Sequence, residues 1–348
     1  MSQEIGVYRE TAIKKEIDQK VTMSRLPQLL QRSFLEQFGR LTRSATSLRA
    51  RIRSGSARVV NIEATEIAAP AKREVTRVTS APDGECLYAI GDIHGRRDLL
   101  EKLVSEIEAD TATLPEGTTV TLVFLGDYID RGLQSRDVIE FFLGDRLHKF
   151  NTVFLMGNHE EAFLKFLDDA SFGSQWVRFG GGETLYSYGF QPPNTRGSLG
   201  SHDAMAAARE AWTTLWTGFR ERLPEAHLDF YRSLKPYYTA GDYLFVHAGL
   251  RPDKSMQDQT VRDMLWIRDE FLDDTKQFSH LIVHGHTPAE GIFQDNRRIG
   301  LDTGAFLSGK LSAARFFGQD ISFLVDLFLY SGFTINANFL RHAIIEAP

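Results

Sequence analysis

One arrangement recurs five times along the chain: a short apolar run that ends abruptly in a residue able to bind a cation. "CLYAI" runs into Gly91-Asp92, "VTLVFL" into Gly126-Asp127, "TVFLM" into Gly157-Asn158, "YLFV" into His247, and "LIVH" into Gly285-His286. Polar, helix-like stretches separate the runs, and this alternation predicts an α/β layered fold. Each candidate strand delivers a carboxylate, a carboxamide or an imidazole just past its carboxyl end. In open α/β sheets that edge is where ligands bind. No period of 20–50 residues recurs, so a solenoid is not indicated.

The donor types narrow the chemistry. Asp92 and His94 in "GDIHG" stand two apart and can serve one ion from a loop, with Gly91 and Gly95 allowing a tight turn. Asp92, His94, Asp127, Asn158, His247 and His286 together offer two carboxylates, one amide oxygen and three imidazoles. Mixed N/O ligands without thiolate suit Mn, Fe or Zn rather than Ca or Mg. Six protein ligands exceed what one tetrahedral zinc takes, but they suit two ions that share a carboxylate. Cys86, the only cysteine, cannot act as a thiol-phosphatase nucleophile, because the arginine position of a C-x5-R element is Asp92.

Apolar residues make up 42 % of the 348, enough to bury a core. The net charge of −6 does not suggest a nucleic-acid partner for the whole chain, yet charge is uneven. The first eighty residues hold fifteen Lys/Arg against eight Asp/Glu. Within them, Leu26, Leu30, Phe34, Phe38, Leu41, Ala45, Leu48 and Ile52 fall at helical spacing among arginines. Such a basic amphipathic helix can lie on an anionic membrane, dock on a protein partner, or pack on its own catalytic domain; a disordered tail is the other option. Residues 69–85, with two prolines, read as a linker. The expected organisation is a basic N-terminal extension over 1–82, a catalytic domain over 83–318 with a helical insertion at about 160–242, and an apolar C-terminal extension over 319–348. One cysteine, no secretion signal and no apolar run long enough for a bilayer lead to the expectation of a cytoplasmic monomer.

"GDIHG", "GDYIDRG" and "GNHE", followed by "VHAGL" and "HGHT", resemble the signature of the PPP family of metal-dependent phosphoprotein phosphatases, a branch of the calcineurin-like metallophosphoesterases. The resemblance spans about residues 86–315. "LWIRDEF" and "LDTGA" are similar to the bacterial and phage-type members, and the eukaryotic "SAPNY" ending is absent. The implied fold is an αββα sandwich with a dinuclear metal site at the strand C-terminal ends. The resemblance implies that Asp92 and His94 hold the first metal and that Asp127 bridges both. Asn158, His247 and His286 complete the second site. It further implies His159 as the general acid, Asp130 as its orienting partner, and Arg131 and Arg268 as phosphate ligands. The implied cofactors are two ions, Mn or else Fe or Zn.

The implied activity is hydrolysis of phosphate monoesters, chiefly phosphoserine and phosphothreonine in proteins. Two dications would neutralise the phosphate charge and acidify a bridging water, arginine would fork onto phosphate oxygens, and a His–carboxylate pair would protonate the leaving alkoxide. A symmetrical dinucleoside tetraphosphate hydrolase is the alternative. In that branch the second aspartate of G-D-x-x-D-R-G is typically absent and "GNHD" replaces "GNHE"; here Asp130 and Glu160 are present. A non-catalytic scaffold would show a broken ligand set, and every expected ligand type is present. Glu160 and Glu161 are read as opening a helix, Gly180–Gly182 as a turn in preference to a close approach to substrate, Trp266 as core, and His284 as packing or supporting the site rather than a ligand. Asp302 either orients a ligand histidine or forms a turn.

Overall fold

The computed structural model describes residues 76–194 and 202–327. The basic stretch at 24–53 and the segment beyond 327 lie outside the described residues. All five apolar runs are strands. The strands are β1 Glu85–Ile90, β2 Thr119–Phe124, β3 Asn151–Phe154, β4 Tyr237–Ala240, β5 Tyr243–Val246, β6 Leu281–His284, β7 Phe293–Gln294, β8 Arg298–Gly300, β9 Lys310–Phe317 and β10 Asp320–Leu327. They form two five-stranded sheets, ordered β10-β9-β1-β2-β3 and β4-β5-β6-β8-β7. The pairs β1–β2, β2–β3, β5–β6 and β6–β8 are parallel. Their carboxyl ends therefore share one edge in each sheet, which gathers the residues that follow them.

Strand alternation builds the layers. Leu87 and Ala89 of β1, Val123 of β2 and Val153 of β3 face Tyr243, Phe245, Leu281, Val283 and Ile299 of the second sheet, forming a dry sheet-on-sheet core. The opposite face of β1, with Tyr88 and Ile90, packs on Leu99, Leu100, Leu103 and Val104. Those leucines and the valine recur at helical steps along α1 Arg97–Thr111. Beyond the other sheet, Leu244, Val246 and Ile282 meet Met264, Ile267 and Phe271. Helix, sheet, sheet and helix thus stack as the αββα sandwich.

The other helices are α2 Ser135–Leu143, α3 Asn158–Asp168, α4 Gly173–Trp176, α5 Gly182–Ser187, α6 His202–Arg222, α7 Glu225–Ser233, α8 Val261–Trp266, α9 Asp269–Leu272 and α10 Ala305–Ser308. The helical insertion comprises α3 to α7, and β4 falls within the span assigned to it from sequence. Two other expectations meet different facts. Residues 76–82 of the apparent linker are docked along both sheets. Asn296 Oδ1 accepts the Thr76 and Arg77 N–H groups, Thr79 Oγ1 donates to the Tyr243 hydroxyl at 3.0 Å, and the buried Ala81 donates its N–H to Gly318 O. The boundary drawn at residue 318 falls in the turn between β9 and β10, which pair antiparallel over eight residues. Polar composition concealed the first, since those bonds use mostly backbone and hydroxyl groups. The C-terminal apolar run supplies β10, which extends the first sheet.

Candidate metal centre and active site

Every described non-glycine residue with positive φ lies in this site: His94 (46°), Asp127 (54°), Asp130 (70°), Arg131 (68°) and His286 (65°). The left-handed region crowds Cβ against the backbone, so five such residues in one place mark a functional concentration of strain. The loops after β1, β2 and β6 turn sharply there to aim side chains over the sheet edge. Glycines make the approach possible. A Cβ at Gly157 would run into the Asp127 carboxylate and backbone, and one at Gly285 into Asp92 Oδ1.

Asp127 presents one oxygen to each of two groups. Its Oδ2 lies 3.5 Å from His94 Nε2, and its Oδ1 lies 3.3 Å from His247 Nε2. His94 Nδ1–H donates to Ile129 O at 2.9 Å, and His247 Nδ1–H donates to Leu125 O at 2.8 Å. Each carbonyl fixes the proton on Nδ1 and leaves a lone pair on Nε2 facing inward, the orientation a metal-ligating histidine needs. Burial pushes both imidazoles, and that of His286, below the ordinary histidine range, so they stay neutral.

Asn158 Oδ1 lies 3.0 Å from His247 Nε2 and 2.8 Å from His286 Nδ1. On the His247 side a lone pair therefore faces a carboxamide oxygen and a carboxylate oxygen. Acceptors converging in a buried site repel one another unless a cation lies between them. Asp92 adds to this crowding, with burial and then the charges of Asp302 and Asp127 pushing its carboxyl well up. Its oxygens accept the His286 N–H at 3.0 and 3.1 Å. The donor chemistry fits cations. Ligand atoms of His94, Asp127 and His159, and separately of Asp127, His247 and His286, lie within 4.8 Å of one another. Asp127 belongs to both groups. The first group includes His159, read from the sequence as the acid, and neither group includes Asp92.

The remaining site residues are also assembled here. His159 Nδ1–H donates to Asp130 Oδ2 at 2.7 Å in a fully buried pair. Arg131 reaches inward, with Nη1 2.9 Å from His94 Nε2 and Nη2 3.0 Å from His159 Nε2. Phe306 of α10 stacks edge-on to His94 and carries the Arg131 guanidinium 5.2 Å from its ring centre. Arg268 stands exposed between α8 and α9, within electrostatic reach of Arg131, Asp127, Asp302 and Asp92.

Three sequence readings change, those of Glu160, Trp266 and Gly180, and one with two alternatives, that of Asp302, is decided. Glu160 does more than open a helix. Fully buried, it accepts backbone N–H groups from Asp127 and Tyr128 at 2.8 Å, Gly157 at 3.0 Å and Ile129 at 3.3 Å. Trp266 is a rim residue, only partly buried. Its Nε1–H donates to Glu161 Oε2 at 2.7 Å, and its ring lies edge-on to His286. Gly180 (φ 111°) accepts the Arg131 N–H through its carbonyl at 3.0 Å, and a Cβ there would sit 2.7 Å from Arg131 Cγ. Asp302 forms a turn, accepting the Gly304 N–H at 2.9 Å. His284, as expected, packs beside the site, its Nε2 accepting from Arg298 Nη1 at 3.1 Å. Trp176 and Thr184 carry no motif, and Glu160 stands in "GNHE" without showing its role; their tertiary partners reveal what each does.

A buried, paired-acceptor site at the carboxyl edge of an αββα sandwich defines a metal-dependent phosphoester hydrolase. The chain belongs to the calcineurin-like phosphoesterase family, whose model matches residues 87–316. That family uses a dinuclear metal site. The chain is similar to the asymmetrical bis(5'-nucleosyl)-tetraphosphatase PrpE of Bacillus thuringiensis (strain Al Hakam) and of Bacillus cereus (strain 03BB102). Each is 24 % identical over 248 residues, covering 65 % of this chain and 89 % of the relative. Among solved structures, it is similar to a protein serine/threonine phosphatase from Saccharomyces cerevisiae (TM-score 0.43, 15 % identity, 72 % of this chain and 82 % of that one). A cold-active protein tyrosine phosphatase is likewise similar (TM-score 0.43, 16 % identity, 70 % and 81 %). No helix among the described residues is long and apolar enough to cross a membrane.

Proposed function

We propose that this chain removes phosphate from serine and threonine side chains of proteins by direct attack of water. The observation that carries the reading is the buried Asp130–His159 pair at 2.7 Å. An alkoxide is a poor leaving group and departs only with a proton. Asp130 accepts the Nδ1–H and so fixes the ring, leaving Nε2 on the Asp127 and Arg131 side of the site, from which His159 would give the leaving oxygen its proton. A nucleotide phosphate leaves as a stable anion and has far less need of such an acid.

Asp92, His94 and Asp127 would hold one ion, and Asp127, Asn158, His247 and His286 the other, with manganese the favoured metal. Bound there, the ions would supply Lewis acidity to the phosphoryl oxygens and acidify water. Arg131 and Arg268 bind the remaining phosphate oxygens as planar, permanently charged forks. Phe306 buttresses the Arg131 guanidinium through its ring face.

Dinucleoside tetraphosphate cleavage is the second reading, favoured by the similarity to the Bacillus tetraphosphatases. Measuring kcat/KM for a phosphothreonine peptide and for diadenosine tetraphosphate, both with Mn, separates the two. The peptide is expected to be the better substrate. Much faster tetraphosphate cleavage would overturn the first reading.

A further inference from the structure

Asp130 is held by more than His159. Its Oδ2 accepts from Trp176 Nε1–H at 2.9 Å as well as from the histidine, and its Oδ1 accepts from the Thr184 hydroxyl at 2.7 Å. Thr184 Oγ1 in turn accepts the Asp130 backbone N–H at 2.9 Å, and Ser135 Oγ offers that N–H a second acceptor at 3.1 Å. Asp130, Ser135, Trp176 and Thr184 are all fully shielded from solvent. Water cannot take over any of these bonds, so the donors alone set the plane of the carboxylate.

Both extra donors come from the helical insertion, 46 and 54 residues beyond Asp130. Trp176 closes α4 and stacks on Phe166 of α3, the helix that begins with Asn158 and His159. Gly181 lies against the face of the indole, where a Cβ would collide with the ring. The three-glycine stretch therefore seats Trp176 through Gly181 and the backbone of Arg131 through Gly180. One turn of the insertion thus touches both the acid pair and the phosphate ligand.

We propose that Trp176 and Thr184 are positioning residues for protonation of the leaving group. They lock the Asp130 carboxylate and thereby the direction of His159 Nε2. The proposal rests on His159 being the acid. Its consequence is a dependence on the leaving group. A mis-aimed acid slows esters whose alcohol needs a proton and spares those whose alcohol departs unaided. General acids contribute roughly 10²–10⁴-fold, so loosening one of three donors is expected to cost about tenfold.

The experiment uses the full chain loaded with Mn and compares kcat on phenyl phosphate with kcat on para-nitrophenyl phosphate. The variants are T184V, T184S, W176F and H159N, with metal content measured for each. T184V removes only the hydroxyl, and the Asp130 N–H keeps Ser135. T184V and W176F are expected to lose about tenfold more on phenyl phosphate than on the nitro ester. T184S should behave as wild type, and all should retain their metals. Equal losses on both esters in T184V, with H159N still discriminating between them, would overturn the roles of Trp176 and Thr184 and leave the acid standing. If H159N also treats both esters alike, the acid reading fails and the proposal with it. Should W176F not fold, the T184V and T184S pair decides.

Discussion

Substituting Glu160 tests the site through a residue that need not touch substrate or metal. Its carboxylate accepts four backbone N–H groups, two on each oxygen: Asp127 and Gly157 on Oε2, Tyr128 and Ile129 on Oε1. Burial, followed by the charge of Asp127, pushes its carboxyl up to about 8. The four donors oppose that shift, because they satisfy only the ionised form. E160Q keeps the shape but replaces one acceptor oxygen with an NH2. Two N–H groups then face a donor. At about 1–3 kcal/mol for each unsatisfied buried group, the loss is roughly 2–6 kcal/mol. That is a large share of a domain's total of about 5–15 kcal/mol. E160D fails differently, since a side chain shorter by roughly 1.5 Å cannot span from Gly157 to Ile129. The measurements are urea unfolding and Mn titration by calorimetry. Both variants should unfold at lower urea and bind Mn more weakly, because the N–H groups of Asp127 and its neighbours fix the loop that carries the Asp127 carboxylate. An E160Q protein within about 0.5 kcal/mol of wild type and binding Mn normally would refute the reasoning.

Further outcomes separate the roles in "GDYIDRG". D127N should lose bound metal, read by elemental analysis, together with activity, whereas D130N should keep the metal and lose turnover on alkyl esters. R131A and R268A should each weaken inhibition by inorganic phosphate about tenfold or more, the value of one or two charge-assisted hydrogen bonds. A chain lacking residues 1–75 is the reference for urea unfolding. Removal through residue 82 should lower the midpoint, because it strips Ala81 from the sheet core and the Thr79 hydroxyl from Tyr243.

The strands and the gathering of metal-capable side chains at their ends were legible because period and punctuation coincide there. An apolar run must end where the chain leaves the sheet, and the residue past that end must meet the ligand edge. The supporting shell was not legible, for a physical reason. Glu160 works by accepting main-chain N–H groups from a loop more than thirty residues earlier, and any acidic residue after "GNH" has the same local look. Trp176 closes a four-residue turn, Gly-Ser-Gln-Trp, in which nothing local shows that its indole N–H meets a carboxylate. Trp266 misled for the converse reason, since large aromatics suggest core, whereas its N–H binds Glu161 at the rim. Glycine spacing at 180–182 hinted at close approach, but not at which side chains approach.

The site is built against the stability of the fold, and the balance is testable. Five residues sit in the left-handed region, each at roughly 1–2 kcal/mol. The total is about 5–10 kcal/mol before the crowding of Asp92, Asp127 and Asp302 is counted. Glu160 and the donors on Asp130 offset part of this by tying the strained loops to buried partners. The convergent acceptors of Asp127, Asn158 and His247 are relieved only in part: Asp127 Oδ1 accepts the His159 N–H at 3.1 Å, and Asn158 Oδ1 lies 2.8 Å from His286 Nδ1. A cation bound to the folded chain alone adds stability in proportion to the logarithm of its free concentration over Kd. Stripping the protein with a chelator should therefore lower its melting temperature, and graded Mn should raise it step by step. The D127N variant should show a much flatter response. Equal melting temperatures for stripped and Mn-loaded wild type would mean that the strain is relieved by the protein alone, and that the convergence of acceptors is not a metal site.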